Sequence, residues 1–400
     1  MSLNSTPNSE RVHIGFFGLR NAGKSSLVNA VTGQSLSVVS DVKGTTTDPV
    51  KKAMELIPVG PVVIIDTPGF DDEGGLGELR VKKTKEVLAK TDVAVLVTES
   101  HSELNESEKE LLATFAERKL PYIIVRNKAD LISDKAPEVE NEIYVSALTG
   151  ENVYKLKELI AELTKGAQKS KPIVSDLIKA GEKVVLVVPI DKAAPKGRLI
   201  LPQQMTIRDI LDCGAVAITC RDSELSETLS YLKDPPAMVI TDSQAFGKVS
   251  ELVPSDIPLT SFSILMARYK GELSELVHGA AMLSRLSDAD KVLISEGCTH
   301  HRQCNDIGTV KLPAWIEKYS GARPEFSFTS GGEFPEDLSQ YRLVVHCGGC
   351  MLNEKEMKAR AERCALQNVP IVNYGVAIAQ MNGILKRSLE LFPDAFGMIE

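Results

Sequence analysis

The run Gly18-Leu19-Arg20-Asn21-Ala22-Gly23-Lys24-Ser25 constrains this chain more than any other. It carries the glycine, glycine-lysine and serine positions of a phosphate-binding loop. Such a loop works only between a strand and a helix, so it dictates structure on both sides. The apolar run His13 to Phe17 supplies the strand, and Ser26 to Thr32 reads as the helix. Gly18 and Gly23 let backbone N–H groups turn toward phosphate oxygens. Lys24 is expected to neutralise β/γ-phosphate charge, and the Ser25 hydroxyl to ligate Mg2+. Ala22 and Ser26 belong to the same binding turn.

Three later stretches point to guanine. Val62 to Ile65 reads as a buried strand that ends in Asp66-Thr67-Pro68-Gly69. Asp66 is expected in the Mg2+ shell, and the Gly69 N–H against the γ-phosphate. Tyr122 to Arg126 reads as another strand, ending in Asn127-Lys128-Ala129-Asp130. An ionised Asp130 accepts from the N1–H and N2–H of guanine; adenine offers no such pair and would leave the carboxylate unpaired. Ser146 and Ala147 follow a further strand and can contact the base. Taken in order, residues 11–165 resemble the translation-factor-like class of small GTPases.

Two departures bear on turnover. Where Ras-like GTPases place a water-orienting glutamine, this chain has Phe70. Asn21 sits where potassium-activated GTPases of the tRNA-modification (MnmE) type carry a cation-ligating asparagine, so that resemblance implies slow turnover raised by K+. A loop-shaping role for Asn21 is the alternative. The stretch Asp41 to Pro49 reads as a switch; Thr46 best matches the pattern for a Mg2+ ligand, with Thr45 and Thr47 leaving the register open. Residues 71–77 read as the second switch.

The rest of the chain is again α/β. A polar, lysine-containing stretch over 166–174 reads as a linker. Residues 175–262 alternate strands at Val184–Val188, Ala215–Thr219 and Ala237–Thr241 with helices. They show no catalytic grouping and are expected to dimerise. Residues 263–400 open on a helix expected from Ile264 to Leu286. Strands follow at Lys291–Ser295, Leu343–Val345 and Pro370–Tyr374, with a helix at Pro313–Tyr319 and another at about Asn353 to Gln367. The expected fold class is α/β: a P-loop GTPase domain followed by two smaller α/β domains with mainly parallel sheets. The first ten residues read as a polar N-terminus.

The chain has 400 residues, seven cysteines and a net charge of −8. The acidic total argues against a nucleic-acid partner. No apolar run is long enough to span a membrane, and the first residues lack a signal-peptide core. The expected compartment is the cytoplasm, where an odd set of cysteines reads as core thiols and metal ligands rather than disulfides.

Cys347 and Cys350 lie two residues apart between a strand and a helix, in His346-Cys347-Gly348-Gly349-Cys350. Cys298 follows the strand at Lys291–Ser295. Two strand ends of one parallel sheet face one crevice, so Cys298, Cys347 and Cys350 are expected to hold one metal centre. Spacing alone does not separate a structural zinc from an iron–sulfur cluster. Gly348 and Gly349 allow close backbone approach to inorganic sulfide and favour the cluster.

A GTPase region followed by Cys298-Thr299-His300 and then His346-Cys347-x-x-Cys350 resembles the HydF family, the GTPase maturation factors of FeFe-hydrogenases. The resemblance spans essentially the whole chain. It implies a 4Fe-4S protein that acts as scaffold and carrier, with a homodimer or higher homo-oligomer. The cargo is a transient di-iron CO/cyanide precursor, made with two radical-SAM maturases and passed to apo FeFe-hydrogenase. It assigns the cluster to Cys298, Cys347 and Cys350 and places the family's motif histidines at His300 and His346, either on iron or orienting its surroundings. The competing reading is a tRNA- or ribosome-directed, K+-dependent GTPase with a structural zinc domain.

Overall fold

The computed structural model describes residues 6–34, 49–69, 83–133, 139–167, 171–190, 199–297, 307–349 and 352–398. Thr46, Phe70, Cys298, His300 and Cys350 lie outside the described residues, as do 71–77. The chain divides into two compact units, Met1–Ser170 and Lys171–Glu400.

The first unit is built on a six-stranded sheet. Its strands are β1 (Val12–Phe17), β2 (Val50–Leu56), β3 (Gly60–Asp66), β4 (Val93–Glu99), β5 (Tyr122–Asn127) and β6 (Glu142–Tyr144), in the order β2-β3-β1-β4-β5-β6. Only β2 runs antiparallel, against β3. All six residues of β1 are buried, which is why it reads as an unbroken apolar run. Helices α1 (Lys24–Thr32), α2 (Glu106–Glu117) and α3 (Val153–Ala167) accompany the sheet. Asn105 starts α2 with a reciprocal capping box to Glu108. β1 has β3 on one side and β4 on the other, so the loop after β1 opens at the switch point of the sheet. Phe16 pairs in register with Asp66, bringing the two phosphate-side motifs together.

The second unit holds two four-stranded sheets, all parallel. One, in the order β10-β9-β7-β8, contains β7 (Lys183–Val187), β8 (Val216–Cys220), β9 (Met238–Thr241) and β10 (Leu259–Ser261). Helices α4 (Leu201–Asp212), α5 (Leu225–Tyr231) and α6 (Phe246–Leu252) lie between its strands in the chain. The next helices, α7 (Phe262–Lys270) and α8 (Leu273–Ala280), lead to the second sheet. That sheet, β12-β11-β13-β14, contains β11 (Lys291–Glu296), β12 (Glu325–Ser330), β13 (Leu343–His346) and β14 (Ile371–Asn373). Helices α9 (Leu312–Ser320), α10 (Glu354–Leu366) and α11 (Tyr374–Met381) complete it.

One apolar core runs through both sheets of this unit, joining Val184 and Ile240 of the first to Ile294 and Val345 of the second through Ile264, Leu265 and Val376. The chain enters this core early: Ile173 and Val174 are buried, and Asp209 Oδ2 accepts from the N–H groups of Ile173, Val174 and Ser175 at 2.8–3.1 Å.

The single helix expected from Ile264 to Leu286 is in fact three pieces. Lys270 ends α7, Gly271 is extended at φ −149°, and α8 restarts at Leu273 before a 3-10 turn over Ala281–Arg285. The apolar spacing persists across the break, but a glycine carries the turn between two helices. No helix among the described residues is long and apolar enough to cross a membrane.

Candidate functional site

The phosphate loop is shaped by what surrounds it. Gly18 sits at φ +146°, and a Cβ there would stand 2.1 Å from the Val97 carbonyl oxygen of β4, so only glycine fits. Lys24 is buried and its Nζ donates to the carbonyls of Gly18 and Leu19 at 2.8 and 2.6 Å, bending back over the loop. Asn21 is exposed at the crest with φ +63°. Ala22 and Gly23 form the floor: Asn127 Nδ2 donates to the Ala22 carbonyl at 3.0 Å. The other end of the same amide, Asn127 Oδ1, accepts from the Ala147 N–H at 3.1 Å. One buried side chain thus ties the phosphate loop to the loop carrying Ser146 and Ala147.

Asp130 is exposed beside that loop and accepts from Ser146 Oγ at 2.5 Å. Lys128 adopts a left-handed backbone at φ +62° and its ammonium pairs with Glu99 at the end of β4. Glu99 also faces His101 Nε2 at 3.2 Å; this carboxylate was not among the sequence candidates, and nothing local to it distinguishes it from a surface acid.

At the phosphate end, Ser25 opens α1 and its Oγ donates to Asp66 Oδ2 at 2.8 Å. The other carboxylate oxygen, Asp66 Oδ1, is buried with no hydrogen-bond partner. A buried anionic oxygen without a partner is costly. A hydroxyl, a carboxylate with one free oxygen and an adjacent phosphate loop form the hard-oxygen donor set that suits Mg2+. Ser26 follows in the first turn of α1, and Gly69 lies three residues beyond Asp66.

The cysteine crevice lies in the second unit. β11 and β13 are parallel neighbours with Ser295 beside His346, and the Cys347 N–H donates to the Ser295 carbonyl at 2.9 Å. The chain therefore leaves both strands side by side. The Cys347 sulfur then accepts from the N–H of Gly297 at 3.0 Å and of Gly349 at 3.4 Å. Gly297 immediately precedes Cys298, and Gly349 immediately precedes Cys350. Two N–H groups aimed at one sulfur favour thiolate character. Gly349 has φ +61°, a turn that bulky residues resist. Among the described residues no group of three or more His, Cys, Asp or Glu side chains is placed to hold a metal ion.

His346 is fully buried with both ring nitrogens engaged. Nδ1 lies 2.7 Å from the Cys347 carbonyl, an acceptor only, so Nδ1 carries the proton. Nε2 accepts from Arg360 Nη1 at 3.0 Å. Burial first and the Arg360 charge second push the imidazole from 6.5 down to about 3, against the opposing bond to Cys347. Neither nitrogen has a lone pair free for a metal in this arrangement. Arg360 is itself only 4% exposed and also reaches the Gly331 carbonyl at 2.9 Å and Glu356 Oε1 at 3.0 Å. A cleft opens here, bounded by Lys270, Glu272, Glu275, Cys347, Gly348 and Met357 among others.

The remaining described cysteines are poor ligand candidates. Cys364 is wholly buried, and burial pushes its thiol up to about 12. Burial also raises Cys220, and the Cys213 thiol donates to the Ile210 carbonyl at 3.1 Å.

Three family models match successive parts of this chain. The 50S ribosome-binding GTPase model matches residues 13–128, the Hydrogen maturase F dimerization domain residues 173–271, and the Hydrogen maturase F tetramerization domain residues 274–391. The chain belongs to the HydF family. The two HydF domains divide the second unit between Gly271 and Ser274, at the break between α7 and α8, and each holds one of its two sheets.

Curated GTPases are similar to between 37% and 48% of this chain. GTPase Der of Campylobacter concisus (strain 13826) is 37% identical over 174 residues, 39% of this chain and 37% of that protein. GTPase Era of Carboxydothermus hydrogenoformans is 35% identical over 162 residues, 38% of this chain and 54% of that protein. The tRNA modification GTPase MnmE of Natranaerobius thermophilus is 34% identical over 159 residues, 38% of this chain and 34% of that protein. The chain thus spans between a third and about half the length of these relatives. Among solved structures, an Era variant of Aquifex aeolicus bound to GDP and AlF4− is 19% identical, with 53% of this chain and 93% of that chain covered and a TM-score of 0.35.

Proposed function

We propose that this chain hydrolyses GTP in its first unit and assembles or carries an iron–sulfur cargo in its second, as a maturation scaffold for FeFe-hydrogenase. The observation that carries the scaffold half is the Cys347 sulfur, which receives N–H groups from the residues immediately before Cys298 and Cys350. Gly297 and Gly349, 52 residues apart in sequence, thus meet at one sulfur, and a cysteine follows each of them in the chain. The donor chemistry fits a soft centre: sulfur held by backbone N–H groups at a strand end, with the helix N-terminus at Asn353–Glu354 next in the chain. Cys298, Cys347 and Cys350 would hold a 4Fe-4S cluster, and such a group supplies one iron without a cysteine, open to exchangeable ligands. His346 orients the Cys347 carbonyl rather than binding iron, because Arg360 occupies its Nε2. His300 stays a candidate for that iron by resemblance.

In the GTP site, Asp130 reads guanine, and Asn127 braces the base-side loop against Ala22. Lys24 exchanges its contacts with the Gly18 and Leu19 carbonyls for the β/γ-phosphate oxygens. Ser25 and Asp66, with Thr46, would hold Mg2+. Water attacks the γ-phosphorus, the bond to the β,γ-bridging oxygen breaks, and GDP and phosphate leave. Asn21 would ligate K+, and such an ion would supply positive charge near the transferred phosphoryl group. Domain limits of 11–165 for GTP, 175–262 for dimerisation and 263–400 for the cluster follow, with a homodimer or larger assembly of this chain built on the two named oligomerisation domains. The cargo would be a di-iron CO/cyanide precursor received from two radical-SAM maturases.

The similarity to Der, Era and MnmE keeps a second reading in play: an RNA-directed GTPase with a structural zinc. The deciding experiment exposes the purified chain to the partner maturases, repurifies it and adds apo-hydrogenase. Hydrogen evolution supports the scaffold reading. A chain that holds zinc tightly and never activates the hydrogenase supports the other.

A further inference from the structure

Lys270 is the last residue of α7 and is only 3% exposed. A lysine in the last turn of a helix ordinarily extends into water. This one points inward. Its Nζ donates to the Gly349 carbonyl at 3.0 Å and to the Leu352 carbonyl at 2.9 Å, the residues that bracket Cys350 and Met351. The same side chain forms one wall of the cleft that exposes Cys347 and Gly348. Lys270 lies within the residues matched by the dimerization domain, whereas the loop it holds lies within the tetramerization domain. The cysteine loop is therefore braced by a charge from the neighbouring sheet's module.

A cluster on three thiolates carries net negative charge, and reduction adds one more. We propose that Lys270 is a positioning residue for the cysteine centre: its buried ammonium fixes the loop around Cys350 and electrostatically favours the reduced cluster. This rests on the iron–sulfur reading of Cys298, Cys347 and Cys350. A positive charge close to a cluster stabilises its more negative redox state and so raises its potential. Two hydrogen bonds to the carbonyls around Cys350 also hold the loop against iron loss.

The test compares the full chain with Lys270→Arg, Lys270→Gln and Lys270→Met after anaerobic reconstitution with iron and sulfide. Gln retains a donor without the charge, Arg retains both, and Met removes both at similar volume. Two readouts are taken: the midpoint of a reductive titration followed by visible absorbance, and the rate of iron loss to a chelator. The expected result is a midpoint displaced to more negative potential in Gln and Met but not in Arg, with Met losing iron about 10-fold faster or more. Should Met fail to fold, Gln and Arg still separate charge from hydrogen bonding. Gln and Met variants with full clusters, wild-type midpoints and wild-type iron loss would overturn the proposal. So would an Arg variant displaced as far as Met. No charge-transfer absorbance in the unaltered chain would instead remove the cluster reading itself, and this inference with it.

Discussion

Replacing Arg360 by methionine removes a buried charge that ties three elements of the second sheet together. The guanidinium reaches Glu356 one turn back on α10, His346 at the end of β13 and the Gly331 carbonyl beyond β12. It also stacks over Phe334 with 5.1 Å to the ring centroid. Methionine keeps most of the volume, so the cavity term is small. What remains is a Glu356 carboxylate whose side chain is 13% exposed, a buried imidazole nitrogen and a carbonyl, all without this partner. Breaking a buried pair in this way costs about 3–5 kcal/mol, against a usual domain stability of about 5–15 kcal/mol. The assay is urea unfolding followed by fluorescence of Trp315, the only tryptophan, which lies in α9 of this unit. Its transition reports the second unit without the first. The exposed pair Lys358–Glu354 on the same helix gives the control: Lys358→Met should cost below about 1 kcal/mol. If Arg360→Met unfolds within about 1 kcal/mol of the parent at unchanged slope, the buried network contributes little and the reasoning fails.

Stability of the second unit should also depend on His346 in acid. Its folded value near 3 lies below the ordinary 6.5, so its contribution is complete above pH 6.5 and declines toward pH 3 as the unfolded chain takes up the proton first; the slope is about 1.4 kcal/mol per pH unit, and a His346→Gln variant with the same acid slope as the parent in Trp315 unfolding would contradict this. Asp130→Asn should weaken GTP by about 10- to 100-fold, from the loss of charge-assisted bonds to guanine, with ATP affinity little changed; calorimetry showing equal loss for both nucleotides would place Asp130 outside base selection. GTP turnover should be faster in K+ than in Na+ at equal ionic strength, and Asn21→Ala should abolish the difference; equal parent rates would remove the cation from Asn21.

The GTP site was legible because its groups sit at fixed short spacings after buried strands. Val12–Phe17 and Gly60–Asp66 are continuous apolar runs, and the loops that follow have few ways to turn. The two strands that lead to the crevice were legible for the same reason, since Leu343–His346 and Lys291–Glu296 carry buried apolar runs. The brace across the crevice was not. Arg360 stands in Glu354-Lys355-Glu356-Met357-Lys358-Ala359-Arg360, a run that reads as a solvated face. Its burial depends on Phe334 and His346, both distant in sequence. Lys270 reads as a routine C-terminal helix charge, and only the fold turns it onto the Gly349 and Leu352 carbonyls. The shared core of the two sheets was equally hidden, because periodicity marks an apolar face without naming its partner. Within that core the break at Gly271 was missed since apolar spacing resumes in α8.

The account stands or falls on one centre at Cys298, Cys347 and Cys350. Anaerobic reconstitution of the purified chain with iron and sulfide, followed by iron and sulfide analysis and paramagnetic resonance of the reduced protein, tests it most directly. Four irons and four sulfides per chain with a reduced 4Fe-4S signal, absent from the triple serine variant, are the predicted result. Tight zinc at the same cysteines, with no sulfide bound and no resonance on reduction, would contradict it.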